Sequence, residues 1–219
     1  DRMFNTDGSL FYPVGGDNPE IHPLWQPEFF GNTMVVNGQT WPYLEVEQRR
    51  YRLRLLNGSQ SRFLILKMDN DMPIYQIGSD GGFLPAPVEL NQVLLGPAER
   101  ADVIVDFTNL PVGSEVVMVN LGPDEPYGGG TPGVDFDAAD PGTTGQVMQF
   151  RVVAATSPDI STPAMDLVLP EIKALGAADN TRDVTLNEGE SESVFVSEDG
   201  NGNIVLDCAT GVPFGPKEA

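Results

Sequence analysis

The sequence predicts an all-β chain folded as a Greek-key β-sandwich of two packed sheets, on three observations. Short apolar runs recur between residues 33 and 153, at about the 8–12-residue spacing of sandwich strands. Turn formers separate them: 24 Gly and 19 Pro, a composition that favours many short strands over long helices. No stretch repeats its apolar residues at the 3.6-residue period of an amphipathic helix.

The elements follow in order. Residues 1–32 form an irregular arm punctuated by Pro13, Pro19, Pro23 and Pro27, with a tight-turn signal at Asp7-Gly8-Ser9. The opening residues, Asp1 to Phe4, read as a cut made inside a longer protein. Strands begin at Thr33–Val36, and Asn37-Gly38 turns the chain because both residues tolerate positive φ. Tyr43–Glu47 is the next strand. Tyr51-Arg52-Leu53-Arg54-Leu55 then alternates apolar and charged positions, which puts Tyr51, Leu53 and Leu55 inward and both arginines outward. Phe63–Met68 is apolar enough to be buried on both faces. Ile74–Ile77, Val93–Leu95, Val103–Val105, Val116–Leu121 and Val147–Val153 complete about nine strands. The expected core comprises Tyr51, Leu53, Leu55, Leu64, Leu66, Ile77, Val103, Val105, Val117 and Val119.

Two segments lie outside this pattern. Residues 122–145 carry Gly, Pro and Asp without a core-forming run. A loop of that length is either a mobile surface segment or a contact for a substrate. Residues 154–182, with Pro158, Pro163 and Pro170, read as a linker with room for a helical turn at residues 170–175. Strand signals resume at 183–186, 193–196 and 203–206. Three strands cannot bury a core alone, so residues 183–219 read as the start of a second, incomplete domain. An exposed edge there would pair with the sandwich or with another copy of the chain, through residues 183–207.

The formal net charge is −20. It is uneven, −4 over residues 1–100 and −16 over the remainder. Such a surface repels phosphate, which argues against nucleic acid and anionic membrane as partners. No apolar run reaches the length of a membrane-spanning helix. The acidity serves solubility. The competing reading, calcium in Asp135-Phe136-Asp137 or Asp199-Gly200-Asn201-Gly202-Asn203, lacks the full twelve-residue loop and its closing Glu. One His and one Cys are present. Cys208 has no partner for a disulfide, and His22 sits in a Pro-rich loop as a surface residue. Asp80-Gly81-Gly82 lacks the Lys and helix of a phosphate-binding loop. Glu99-Arg100-Ala101-Asp102 reads as a structural ion-pair set, with Arg100 expected to contact Asp80 or a backbone carbonyl. The residues therefore offer no catalytic, cofactor-binding or metal site.

Three segments carry a family resemblance: residues 36–46 (Val-Asn-Gly-Gln-Thr-Trp-Pro-Tyr-Leu-Glu-Val), residues 51–59 (Tyr-Arg-Leu-Arg-Leu-Leu-Asn-Gly-Ser), and residues 76–84 followed by Leu95-Gly96-Pro97-Ala98-Glu99-Arg100-Ala101-Asp102 and its strand. In order and spacing they resemble the second cupredoxin domain of three-domain multicopper oxidases, in the branch of bacterial spore-coat laccase, bilirubin oxidase and phenoxazinone synthase. The opening Asp-Arg-Met-Phe and Asp-Gly-Ser-Leu-Phe-Tyr-Pro are similar to that branch too. The resemblance implies a cupredoxin-like, copper-less middle domain at 33–153, a linker at 154–182 and the first strands of a third cupredoxin domain at 183–219.

That family takes electrons from a reductant at a blue copper and passes them to a three-copper cluster that reduces dioxygen to water. Its ligands, imidazole and thiolate, come as His-X-His and His-Cys-His motifs of the first and third domains. This sequence has neither motif, and Cys208 stands between Asp207 and Ala209. The resemblance thus implies copper in the parent protein and none on this chain, with the first and third domains as its partners. It favours a secreted, periplasmic or cell-surface setting. A stand-alone β-sandwich binding or structural module is the alternative.

Overall fold

The computed structural model describes residues 28–182, 193–201, 204–206 and 212–216. Most of the arm at 1–32, together with His22, Cys208 and the strand expected at 183–186, lies outside them. Two units are present, Glu28–Ala174 and, separately, Leu175–Ala219 with Asp1–Pro27.

In the first unit, β1 (Val35–Val36) and β2 (Gln39–Thr40) form a small hairpin. Its turn has φ of 50° at Asn37 and 82° at Gly38, the positive values a tight two-residue hairpin requires. Nine longer strands follow: β3 (Tyr43–Glu47), β4 (Arg50–Leu56), β5 (Leu64–Met68), β6 (Ile74–Ser79), β7 (Gly82–Leu90), β8 (Val93–Leu95), β9 (Arg100–Asp106), β10 (Glu115–Asn120) and β11 (Gln146–Val153). They make two sheets, β3-β11-β10-β5-β8 and β4-β9-β6-β7. The chain crosses repeatedly between the sheets, and β3 lies parallel to β11 while the other pairs are antiparallel. This is the all-β sandwich expected from the sequence.

The inner faces meet in one core. Val46, Met68, Ile74, Val103, Val105, Phe107 and Phe150 are fully buried in it. Phe107 packs against Phe150 at 5.2 Å between ring centroids and meets the edge of Tyr51 at 5.8 Å. Tyr51, Leu53 and Leu55 pack on this core and Arg52 and Arg54 face solvent, as the alternation requires. The three apolar residues are only half-buried, because β4 is the edge strand of its sheet.

Three expectations need correction. In β10 the buried residues are Val116, Met118 and Asn120, not Val117 and Val119, which are half-exposed. The run Val116-Val117-Met118-Val119 is apolar at every position, so alternation has no phase there until Asn120 sets it. Strand β7 was not expected, since it contains Pro85 and Pro87. It is an edge strand, and both prolines fall where the β6–β7 register slips between Gln76↔Val88 and Gly78↔Phe83. Proline is tolerated at such a bulged edge because no ladder bond needs its missing N–H. Finally, the short helical turn is a 3₁₀ turn at Ala164–Asp166 rather than at 170–175.

Ile77 is buried as expected, but on the outer face of the four-stranded sheet. There it clusters with Ile104, Ala164, Tyr75, Leu167 and Leu169. Residues 154–169, read from sequence as linker, thus lie on the sandwich. In the second unit the described strands β12 (Ser193–Glu198), β13 (Ile204–Leu206) and β14 (Val212–Pro216) form an antiparallel sheet in the order β13-β12-β14. No helix among the described residues is long and apolar enough to cross a membrane.

Candidate functional site

The motif residues singled out in the sequence come together at one end of the sandwich, and each is engaged structurally. Asn57 is fully buried after β4. Its Nδ2 donates to the carbonyls of Arg62 (2.8 Å) and Leu95 (3.0 Å), and its Oδ1 accepts the Ser59 N–H at 3.0 Å. Its backbone exchanges bonds with Glu99 and Ala98. The side chain of Glu99 accepts the Gly96 N–H. Arg100 pairs with Asp80 at 3.2 Å and donates to the Ala98 carbonyl at 3.0 Å, while Asp80 Oδ1 accepts the Arg100 N–H at 2.8 Å. Both contacts foreseen for Arg100 are present. These bonds hold the turns of this end in place.

Loop 122–145 is fastened to the same end. Asn120, the last residue of β10, is 1% exposed. Its Oδ1 accepts the N–H groups of Ile65 (3.0 Å) and Gly122 (2.9 Å). Arg62, 5% exposed, donates to Asp124 at 2.8 Å, and Asp124 in turn accepts the hydroxyl of Thr144 at 2.6 Å. The Tyr127 ring packs between Phe63 (5.1 Å) and Phe136 (5.6 Å). Backbone bonds from Leu121 to Ile65, Ala139 to Gly122 and Asn120 to Gly145 close the loop. This lattice of bonds does not fit a free surface loop. Its anchors sit up to 62 residues away along the chain, a separation that no local sequence signal reports.

Two depressions accompany these features. One, of about 180 Å³, is lined by Trp41, Tyr43, Gln149 and Arg151 among others. Trp41 holds a φ of 42°, and its indole donates to the Thr143 carbonyl at 3.2 Å. The Arg151 guanidinium lies 3.8 Å from the Tyr43 ring centroid, a cation–π stack. The other, of about 290 Å³, is walled by Asp124, Glu125, Asp137, Ala138 and Asp140. Among the described residues, no group of three or more His, Cys, Asp or Glu is placed to hold a metal ion. Asp135, one of the acids weighed for calcium, accepts the Thr131 N–H at 2.7 Å.

Copper of the blue or three-copper kind needs imidazole and thiolate. The described residues contain neither, since His22 and Cys208 both lie outside them. The thioethers of Met34, Met68 and Met118 are buried in the inter-sheet core. This donor set does not fit the family's copper.

The fold is the cupredoxin-type sandwich of multicopper oxidases. The McoA multicopper oxidase from the hyperthermophile Aquifex aeolicus superposes with a TM-score of 0.56 at 25% identity, covering 93% of this chain and 39% of that one. Its 2F4 variant gives 0.55 at 32% identity, over 76% and 33%. Sequence relatives agree. The chain is 45% identical over 155 residues to the laccase of Bacillus subtilis, 69% of this chain and 28% of the laccase. It is 40% identical over 178 residues to multicopper oxidase LPR1 homolog 3 of Oryza sativa, 78% of this chain and 32% of that protein. It is 32% identical over 223 residues to the laccase of Haloferax volcanii, 94% and 34%. No protein-family model matches the chain. The chain is homologous to the multicopper oxidases and laccases, and spans about a third of the length of the curated relatives it matches.

Proposed function

We propose that this chain is the copper-less middle cupredoxin-like domain of a laccase-like multicopper oxidase, joined to the first strands of the domain that follows. Its role is that of a scaffold: it holds the first and third cupredoxin domains so that the copper cluster assembles between them. The whole protein would oxidise phenolic or similar small molecules and reduce dioxygen to water. The observation that carries this reading is the match itself. The chain aligns with only about a third of each oxidase, and it does so without one His-X-His or His-Cys-His motif. The engagement of its motif residues in turns supports a structural part over a catalytic one.

Two measurements test the proposal. The coding sequence before Asp1 and after Ala219 is expected to encode His-X-His motifs on both sides; their absence would leave the stand-alone module as the better reading. Metal analysis of the purified chain after dialysis is expected to find no stoichiometric copper, with no blue-copper absorbance near ~600 nm. One tightly held copper per chain would overturn the scaffold reading.

A further inference from the structure

We propose that residues 155–169 form a detachable strap, clipped to the sandwich at one end by ionic hydrogen bonds and at the other by an apolar plug. It opens as one unit while the sandwich stays folded.

The clip is made of side chains. Glu47 accepts the hydroxyl of Thr156 at 2.9 Å and its N–H at 3.2 Å, and also pairs with Arg49. Arg49 donates to the Ser157 carbonyl at 3.2 Å. Asp159 accepts the backbone N–H of Arg50 at 2.9 Å and the N–H of Ser161 at 2.8 Å. The Arg50 guanidinium bridges Asp106 of β9 (2.9 Å) to the Ser161 carbonyl (2.9 Å). The plug is Ala164, Leu167 and Leu169 against Tyr75, Ile77 and Ile104.

Three observations say that this strap is held and yet separable. First, no backbone–backbone hydrogen bond ties residues 154–169 to a strand of the sandwich; the two bonds there, Asp166 to Pro163 and Leu167 to Ala164, are internal to the 3₁₀ turn. Segments without ladder bonds open ahead of the whole fold. Second, the strap is apolar on both sides. Ile160 and Val168 are almost wholly exposed while Leu167 and Leu169 point inward, so closing it buries only part of its apolar surface. Third, Arg49, which donates to Ser157 of the strap, has its Nε buried without an acceptor, and water admitted by opening would relieve that cost. Opening bares a Tyr75–Ile77–Ile104 patch on the outer face of the four-stranded sheet.

Native-state hydrogen exchange on the full chain tests this, because each end carries its own reporter. Asp159→Ala removes the carboxylate that holds Arg50 in the clip, and the Asp166 and Leu167 amides are then expected to exchange about tenfold faster, the loss of its bonds to Arg50 felt across the strap. Leu167→Ser loosens the plug, and the Thr156 and Arg50 amides are expected to quicken similarly. The ladder amides of β9 should keep their rates in both variants, which shows that the sandwich is intact. Acceleration confined to the mutated end, or strap amides that exchange only with global unfolding, would overturn the proposal.

Discussion

Two segments without strands are fastened to this sandwich, and they are fastened differently. Loop 122–145 is held by buried polar groups and by backbone bonds back to β5 and its own ends. The strap at 155–169 is held by side-chain clips at its start and apolar contacts at its end. A buried polar anchor is costly to break, because the partner left behind has no water to turn to. The clip is cheaper to break, because its strap-side partners Thr156, Ser157 and Ser161 are exposed and rehydrate as it opens. The loop should therefore behave as part of the fold, and the strap as an attachment to it.

The largest expected effect comes from breaking the loop's anchor. Asn120→Ala leaves the buried N–H groups of Ile65 and Gly122 without their acceptor. Each unsatisfied group costs about 1–3 kcal/mol, so chemical denaturation should show a loss of roughly 3 kcal/mol. A loss under about 1 kcal/mol would place the loop in the same class as the strap. Gly122→Ala sharpens the point by steric means. A Cβ there would stand 2.5 Å from the Phe63 carbonyl oxygen and 3.2 Å from the Ile65 nitrogen, both backbone atoms that cannot swing aside. Overpacking of this kind costs about 1–3 kcal/mol, and it should also displace the Tyr127 ring from Phe63, visible as a change in tyrosine fluorescence.

The contrast also marks where the sequence could be read and where it could not. The phase of β4 was legible because Arg52 and Arg54 alternate with Tyr51, Leu53 and Leu55, and charge is not buried without a partner. The phase of β10 was not, because its first four apolar residues fit either face and the deciding residue is a buried polar one, Asn120. Strand β7 was hidden by Pro85 and Pro87, which argue against a strand unless the edge and bulge are already known. The turn hubs around Asn57 and Arg100 were legible as structure from their glycines and charges. The anchors of the loop were not, since Arg62–Asp124 and Asn120–Ile65 are contacts between distant parts of the chain. The docking of residues 154–169 was equally silent, because Pro158 and Pro163 make the segment look like a tether whether or not it lies on a surface.

Arg62→Ala should have an intermediate effect. The guanidinium is nearly buried and stacks over the Phe30 ring at 5.5 Å as well as pairing with Asp124. Asp124 is 41% exposed in its side chain, so it can rehydrate when the arginine goes. The expected loss is roughly 1–2 kcal/mol, from lost packing and one charge-assisted bond. Arg62→Met, which restores the stem without the charge, should recover part of it. If it recovers nothing, the ion pair rather than the packing holds the loop to this end of the sandwich.

The smallest effect belongs to the strap, and pH reaches it. The carboxyl of Asp159 is lowered from 3.8 to about 2, chiefly because the Arg50 backbone N–H donates to it, then because the Ser161 hydroxyl and N–H do so. The Ser161 bonds lie within the strap, so it is the Arg50 N–H that binds the charged form more tightly in the closed strap than in an open one. A carboxylate whose folded value is depressed contributes stability that is fully present above its free value. That contribution fades as pH falls from about 4 through about 2. Glu47, lowered by the Thr156 hydroxyl above all, shifts in the same direction. The Leu167 amide should therefore lose protection across this window, after correction for the intrinsic pH dependence of exchange, while the β9 ladder amides keep theirs. In Asp159→Asn the acid loss should shrink to the part that Glu47 contributes, because an amide has no proton to gain. Protection at Leu167 that stays level through this window with aspartate at 159 would show that the strap's hold lies in its apolar plug alone.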